Sequence, residues 1–216
     1  MTTKEILLKI IHGKEVGYNE LSNGEDITKQ INELENQGLI KKINEKYQLT
    51  TKGKSESTYI DGLTGKIKKQ PMDAVVIIAK DGEKILMQQR QREPFHGYWG
   101  FPSGKHDYGM KMKEMAQKEF YDETGLTTEV EYKGLTTIRT YENGEIIFHH
   151  NLHIFQAKNW TGELIEKTRE GINKWIPEQE INKIKIFPDI LQILKIINEN
   201  LNYIEMDRYQ KNGEFI

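Results

Sequence analysis

Residues Gly104–Leu126, GKHDYGMKMKEMAQKEFYDETGL, run as a glycine-opened loop, an amphipathic helix ending in acid, and a glycine stop. The spacing predicts a helix from near Lys111, and at about 100° per residue Glu119, Asp122 and Glu123 share roughly a 100° arc. Carboxylates so close repel one another, and near a helix C-terminus they also meet the negative end of the macrodipole. A bound Mg²⁺ offsets both costs, so the stretch reads as a metal and diphosphate site. Gly125 supplies the left-handed residue at which the helix stops, and Leu126 resumes an extended run.

These residues resemble the Nudix box, G-x5-E-x7-R-E-U-x-E-E-x-G-U with U a bulky apolar residue, in a register without gaps. Gly104, Glu119, Phe120, Glu123, Gly125 and Leu126 fit; Lys118 and Asp122 are conservative replacements, and Met110 stands where the family has its first Glu. The resemblance implies metal ligation by Glu119, Asp122 and Glu123, with Mg²⁺ or Mn²⁺ as the ion. Asp122 is one carbon shorter than the family's Glu, and Lys118 offers a point charge where the family's Arg offers a planar fork. GYWGFPSGK before the helix, and the hairpin that opens the same region, extend the likeness. Residues 74–79 and 84–89 read as strands around a Lys80-Asp81-Gly82-Glu83 turn. The fold class expected is α+β: a Nudix α/β/α sandwich with a mixed sheet over residues 71–204.

A smaller module precedes it. Thr3 to Ile11 pattern as a helix, Asp26 is placed to cap a second helix through Ile27, Ile31 and Leu34, and residues 39–43 and 47–50 form a hairpin about Asn44-Glu45-Lys46. Helix, helix and hairpin resemble a winged helix-turn-helix over residues 1–54, with 55–70 read as a linker and 205–216 as a polar tail. The second helix carries Glu25, Asp26, Glu33 and Glu35 against Lys29, a poor complement to phosphate, whereas Lys41, Lys42 and Lys46 on the hairpin are candidate DNA contacts. Thr28, Gln30 and Asn32 reach bases only if that helix enters a groove.

The chain has no cysteine, which excludes disulfides and thiolate nucleophiles, so any metal must bind through oxygen or histidine. No signal peptide is recognisable, and the longest aliphatic run, Ala74–Ala79, is far short of the roughly 20 residues that span a bilayer. A cytoplasmic location without membrane attachment is expected. After the box, residues 129–141 and 145–157 read as a second hairpin about Asn143-Gly144, with His149, Asn151 and His153 sharing one face as candidate pocket or metal residues. Phe187-Pro188-Asp189 opens a last helix whose apolar stripe runs through Ile190, Leu191, Leu194, Ile197 and Leu201.

The mechanism that the resemblance implies is hydrolysis of a phosphoanhydride by metal-activated water. The expected substrate is a nucleoside diphosphate linked to another moiety. Glu119 and Glu123 serve the catalytic site, and Glu170, before Gly171 and Trp175-Ile176-Pro177, stands where the family often has an added carboxylate for the base. Gly104, Arg90, Arg139 and Tyr141 are candidate substrate contacts, with Arg92, Tyr98 and Phe101 as further ones. A homodimer is expected by family analogy. A second reading is a nucleotide-sensing transcriptional regulator with a weak or inactive Nudix domain, although regulators that fuse the two modules usually carry the winged helix second.

Overall fold

Thr2 opens the first helix with a capping box: its side chain accepts from the Glu5 N–H while the Glu5 carboxylate accepts from the Thr2 N–H. The computed structural model describes residues 1–216, which divide into two units, Met1–Gln70 and Pro71–Ile216. The first contains α1 (Thr3–Gly13), β1 (Val16–Gly17), α2 (Tyr18–Ser22), α3 (Thr28–Asn36), β2 (Ile40–Ile43), β3 (Lys46–Leu49) and α4 (Thr51–Ser57). Its strands lie in the order β1-β3-β2, and Ile6, Ile10, Leu21, Ile27 and Leu34 fill its core.

Several expectations for this unit need correction. Asn44 and Glu45 both have positive φ, so the hairpin turns on two residues and Lys46 already belongs to β3. Asp26 accepts from the Thr28 N–H and hydroxyl as a local turn, leaving Ile27 as the residue before α3. Residues 55–70 are no linker. α4 is capped by the Thr50 side chain, Asp61 gathers the N–H groups of Leu63 and Thr64, and Ile60 bridges to Ile67. Gly53 is required here, because a Cβ would lie 1.9 Å from the Leu39 carbonyl oxygen. Lys41, Lys42 and Lys46 are exposed, with Lys42 paired to Glu45 at 2.6 Å, while Gln30 donates to the Met1 carbonyl.

The second unit runs β4 (Met72–Ile78), β5 (Lys80–Asp81), β6 (Lys84–Arg90), β7 (Trp99–Gly100), β8 (Ser103–Lys105), α5 (Met112–Thr124), β9 (Thr127–Glu142) and β10 (Glu145–Thr161). Then follow β11 (Gly171–Pro177), a 3-10 turn (Glu178–Lys183), α6 (Ile190–Asn198), β12 (Tyr203–Lys211) and β13 (Glu214–Phe215). A mixed sheet has the order β13-β12-β9-β10-β4-β8, with β4 parallel to β10 and β12 parallel to β9; β11-β6-β5 form a second sheet, and β7 pairs with β6. The architecture is α+β.

Alternation along β4 explains the layering. Val75, Ile77 and Ala79 pack with Met115, Ala116 and Phe120 of α5, whereas Val76 and Ile78 pack with Ile190, Ile193 and Leu194 of α6. The stripe on α6 therefore runs through Ile190, Ile193, Leu194 and Ile196; Leu191 is 42% exposed and Leu201 lies beyond the helix. Gly125, at φ 75°, ends α5 with its N–H on the Tyr121 carbonyl, as the sequence requires. Residues 205–216 are not a loose polar tail: most belong to β12 and β13, and Ile204, Met206, Arg208 and Gln210 alternate inward. No helix is long and apolar enough to cross a membrane.

Candidate functional site

Helix α5 delivers Glu119 and Glu123 one turn apart against the short strand β8. Glu123 is 5% exposed, and its Oε2 accepts the Ser103 N–H at 2.8 Å. Burial pushes its pKa up to about 8, with the Glu119 and Glu170 charges adding to the rise and Arg92 opposing it. Glu119 is half-buried and also raised, by burial first, against the nearby Lys118 ammonium. It lies flat on Gly104: a Cβ there would stand 2.2 Å from the Glu119 Cδ and Oε2. Glycine at 104 is thus the cradle for a carboxylate.

Asp122 does not join them. It is half-exposed, and its Oδ2 takes the Lys118 ammonium at 3.1 Å across one helical turn. At 100° per residue it lies about 100° around the helix from Glu123, on the solvent side, so the expected three-carboxylate face becomes a pair with a flanking acid. No three acidic or histidine side chains converge on one point. A buried carboxylate beside a second one, held by a single N–H and facing no directly bonded cation, nevertheless fits a divalent ion with oxygen ligands. Met110, in place of the family's Glu, packs against the buried cluster between α5 and the sheet, and the loop is tied instead by His106 Nε2 on the Met110 carbonyl at 2.6 Å.

Glu170 reaches the same neighbourhood from the start of β11, paired with Arg92 and close enough to raise Glu123. Arg90 turns into its own loop, its Nε donating to the carbonyls of Pro94 at 2.6 Å and Arg92 at 3.1 Å. Burial lowers its pKa, and it organises the 91–98 segment. Asn173, fully buried on β11, donates to the Glu123 carbonyl at 2.6 Å and the Ile165 carbonyl at 2.8 Å while accepting from Gln88. That clamp on the end of α5 is not visible in the sequence, where residues 171–177 received no strand assignment.

Beside the carboxylates, a cavity of about 340 Å³ opens on the α6 face of the sheet. Arg90, Arg92, Gly104 and Lys105 line one group of its walls; Phe95, Phe148 and Phe187 supply aromatic surface. Phe95 sits at φ 71° with its ring 5.8 Å from Phe148 and 5.6 Å from Phe187. Phe101 lines the cavity, but Tyr98 is buried with its hydroxyl on Glu214 at 2.7 Å.

Arg139 and Tyr141 are corrected by strand alternation. Their even-numbered neighbours Ile138 and Thr140 are fully buried, so Arg139 faces away and pairs with Asp207 at 2.8 Å, and Tyr141 stacks on Tyr209 at 5.5 Å. The same parity moves the histidine assignment. On β10, Phe148, His150 and Leu152 line the cavity, whereas His153 meets Asp73 on the other face at 3.3 Å. Burial depresses His150 to about 4, so it is neutral at neutral pH.

Comparison with known proteins follows the same lines. The family profile described as NUDIX domain matches residues 69–195. A Bacillus subtilis protein named as the uncharacterised Nudix hydrolase YvcI is 24% identical over 112 residues, 51% of this chain and 69% of its own length. Among solved structures, a MutT protein from Bacillus halodurans aligns with TM-score 0.54 at 21% identity, over 67% of this chain and 94% of that one. The NUDIX domain of Shewanella oneidensis NrtR, in a complex with ADP ribose, aligns with TM-score 0.52 at 19% identity, over 62% and 91%.

Proposed function

The chain belongs to the Nudix family, and on that premise we propose that it hydrolyses the phosphoanhydride of a nucleoside diphosphate linked to another moiety. The single observation that carries the reading is the Glu119–Glu123 pair seated on Ser103 and Gly104, two residues that also line the cavity. Mg²⁺ or Mn²⁺ held by these two carboxylates, with Asp122 as an outer contributor, would neutralise the diphosphate oxygens and lower the pKa of the attacking water. Glu170, partly exposed and paired with Arg92, would accept the proton of that water. Arg92 and Lys105 supply positive charge for the diphosphate, and Arg90 holds the loop that carries Arg92. The aromatic wall takes the flat part of the substrate. The complex of the NrtR domain with ADP ribose supports a nucleotide-derived ligand of this general kind.

The test is product release from a panel of ADP-ribose, dinucleoside polyphosphates, nucleotide sugars and nucleoside triphosphates, with Mg²⁺ or Mn²⁺, for wild type and Glu123→Gln. Metal-dependent turnover that the substitution abolishes is expected. No turnover on any compound, with nucleotide binding intact, would overturn hydrolysis and favour the sensing reading. The exposed lysines Lys41 and Lys46 would then be the DNA contacts to probe.

A further inference from the structure

The family match ends at residue 195, yet β12 begins at Tyr203 and adds a strand parallel to β9, in register from Tyr203 on Leu135 to Tyr209 on Tyr141. This appended strand brings a charged side chain to the cavity. Arg208 is 7% exposed, lines the cavity, and donates from Nη1 to Asp189 Oδ1 at 2.6 Å. Its Nε and Nη2 fork onto Thr140 Oγ1 at 3.2 and 3.0 Å. A guanidinium has five N–H donors, so one N–H on each terminal nitrogen is left without a protein partner. Asp189, also a lining residue, accepts nothing at Oδ2.

β13 holds this arrangement in place. The Phe215 ring lies 5.0 Å from the Arg208 guanidinium carbon and stacks on Phe95 at 4.8 Å, so the appended hairpin and the aromatic wall form one packed block. Lys185 and Tyr98 fasten Glu214 beside it. Charge separates the cavity walls into two kinds. Arg90 and Lys105 have no carboxylate partner and Arg92 is paired with Glu170 beside the acidic helix, whereas Arg208 is neutralised by Asp189 within the cavity and suits an uncharged ligand edge.

We infer that Arg208 and Asp189 determine specificity by reading the edge of a purine base that presents a hydrogen-bond acceptor beside a donor, with Arg208 donating and Asp189 Oδ2 accepting. The base lies against Phe95 and Phe187, and the diphosphate extends toward Lys105 and Arg92. This rests on the hydrolase reading for the polarity of the substrate but not for the base contact itself. A buried site left with an unpaired charge rejects an analogue that lacks the matching group, and a hydrogen bond to a charged partner is worth about tenfold to hundredfold in affinity.

The experiment uses the full chain in EDTA, so that binding is separated from turnover, and compares adenosine and guanosine 5′-monophosphates with the 5′-monophosphate of unsubstituted purine riboside by calorimetry. Wild type is expected to bind at least one natural purine tenfold or more tightly than the unsubstituted analogue. In Arg208→Met with Asp189→Leu, which replaces the buried ion pair by apolar groups of similar size, that ratio falls to about one. Equal binding of all three ligands by wild type, or an undiminished ratio in the folded double variant, overturns the inference. Discrimination in EDTA without turnover in Mg²⁺ sinks the hydrolase reading and leaves this one standing. If the double variant does not fold, hydrogen exchange of wild type decides: the preferred monophosphate, and not inorganic diphosphate, slows residues 203–211. Equal slowing by both, or by neither, overturns the inference.

Discussion

Replacing Gly104 by Ala perturbs the site through one methyl group. The added Cβ stands 2.2 Å from Glu119 Cδ and Oε2 and 2.4 Å from Cγ, where ordinary contact begins at 3.4 Å, so the carboxylate must retreat by roughly 1 Å. The backbone is not the obstacle, because no left-handed φ is recorded at 104 and the clash falls on the end of a flexible side chain. The stability cost of about 1 kcal/mol from overpacking is therefore offset in part by the roughly 0.4–1 kcal/mol that Gly→Ala removes from unfolded-chain entropy. A 1 Å displacement of a ligand group, by contrast, costs on the order of 100-fold in rate. The expected signature is a melting temperature within a few degrees of wild type, a kcat lower by about two decades, and weaker apparent Mg²⁺ affinity. Thermal melting and initial rates across a metal titration measure all three. Rates and metal affinity within twofold of wild type would refute the claim that Glu119 rests on Gly104 to hold the ion.

Other perturbations have distinct outcomes. Asn173→Ala removes the donors to the Glu123 and Ile165 carbonyls and strands buried acceptors, so urea denaturation should show a loss of about 2–4 kcal/mol. Asp122→Asn should reduce kcat at least tenfold less than Glu123→Gln does, because Asp122 is half-exposed and already engaged by Lys118; steady-state rates at saturating Mg²⁺ compare the two. His150, whose pKa falls from 6.5 to about 4 through burial, lies within the electrostatic influence of Arg208, Asp189, His149 and Lys105, and its folded form resists protonation. The unfolded chain binds its proton first, so stability is full above about pH 6.5 and falls as the pH drops toward 4. Allowing for solvent at the partly exposed ring, the difference in unfolding free energy between pH 7.5 and pH 5, from urea denaturation, should shrink by about 1–2 kcal/mol in His150→Gln.

The acidic helix could be read from the sequence because its signals are local. Gly125 stops α5 in the left-handed conformation, and one helical turn between Glu119 and Glu123 suffices to place both on β8. The strand pairs about Gly82 and Asn143-Gly144 were legible for the same reason. Facing was harder. Histidines 149 and 153 drew attention by residue type, but parity with Phe148, Leu152 and Ile154 puts His150 inward, a choice set by the register of β10 on β4. Arg139 and Tyr141 failed on the same ground. Asn173 and Arg208 were invisible because each acts through partners 50 and 68 residues away, Glu123 and Thr140, which no local pattern reports. The tail could have been identified through the alternation Ile204, Met206, Arg208 and Gln210, but two polar residues on the inward face disguised a strand.

The most direct measurement of the central claim is Mn²⁺ binding to the metal-free protein, followed by electron paramagnetic resonance, for wild type, Glu119→Gln and Glu123→Gln. Saturable binding by wild type is expected, weakened at least tenfold by either substitution, with the folded structure retained. Mn²⁺ affinity unchanged in both variants would contradict it.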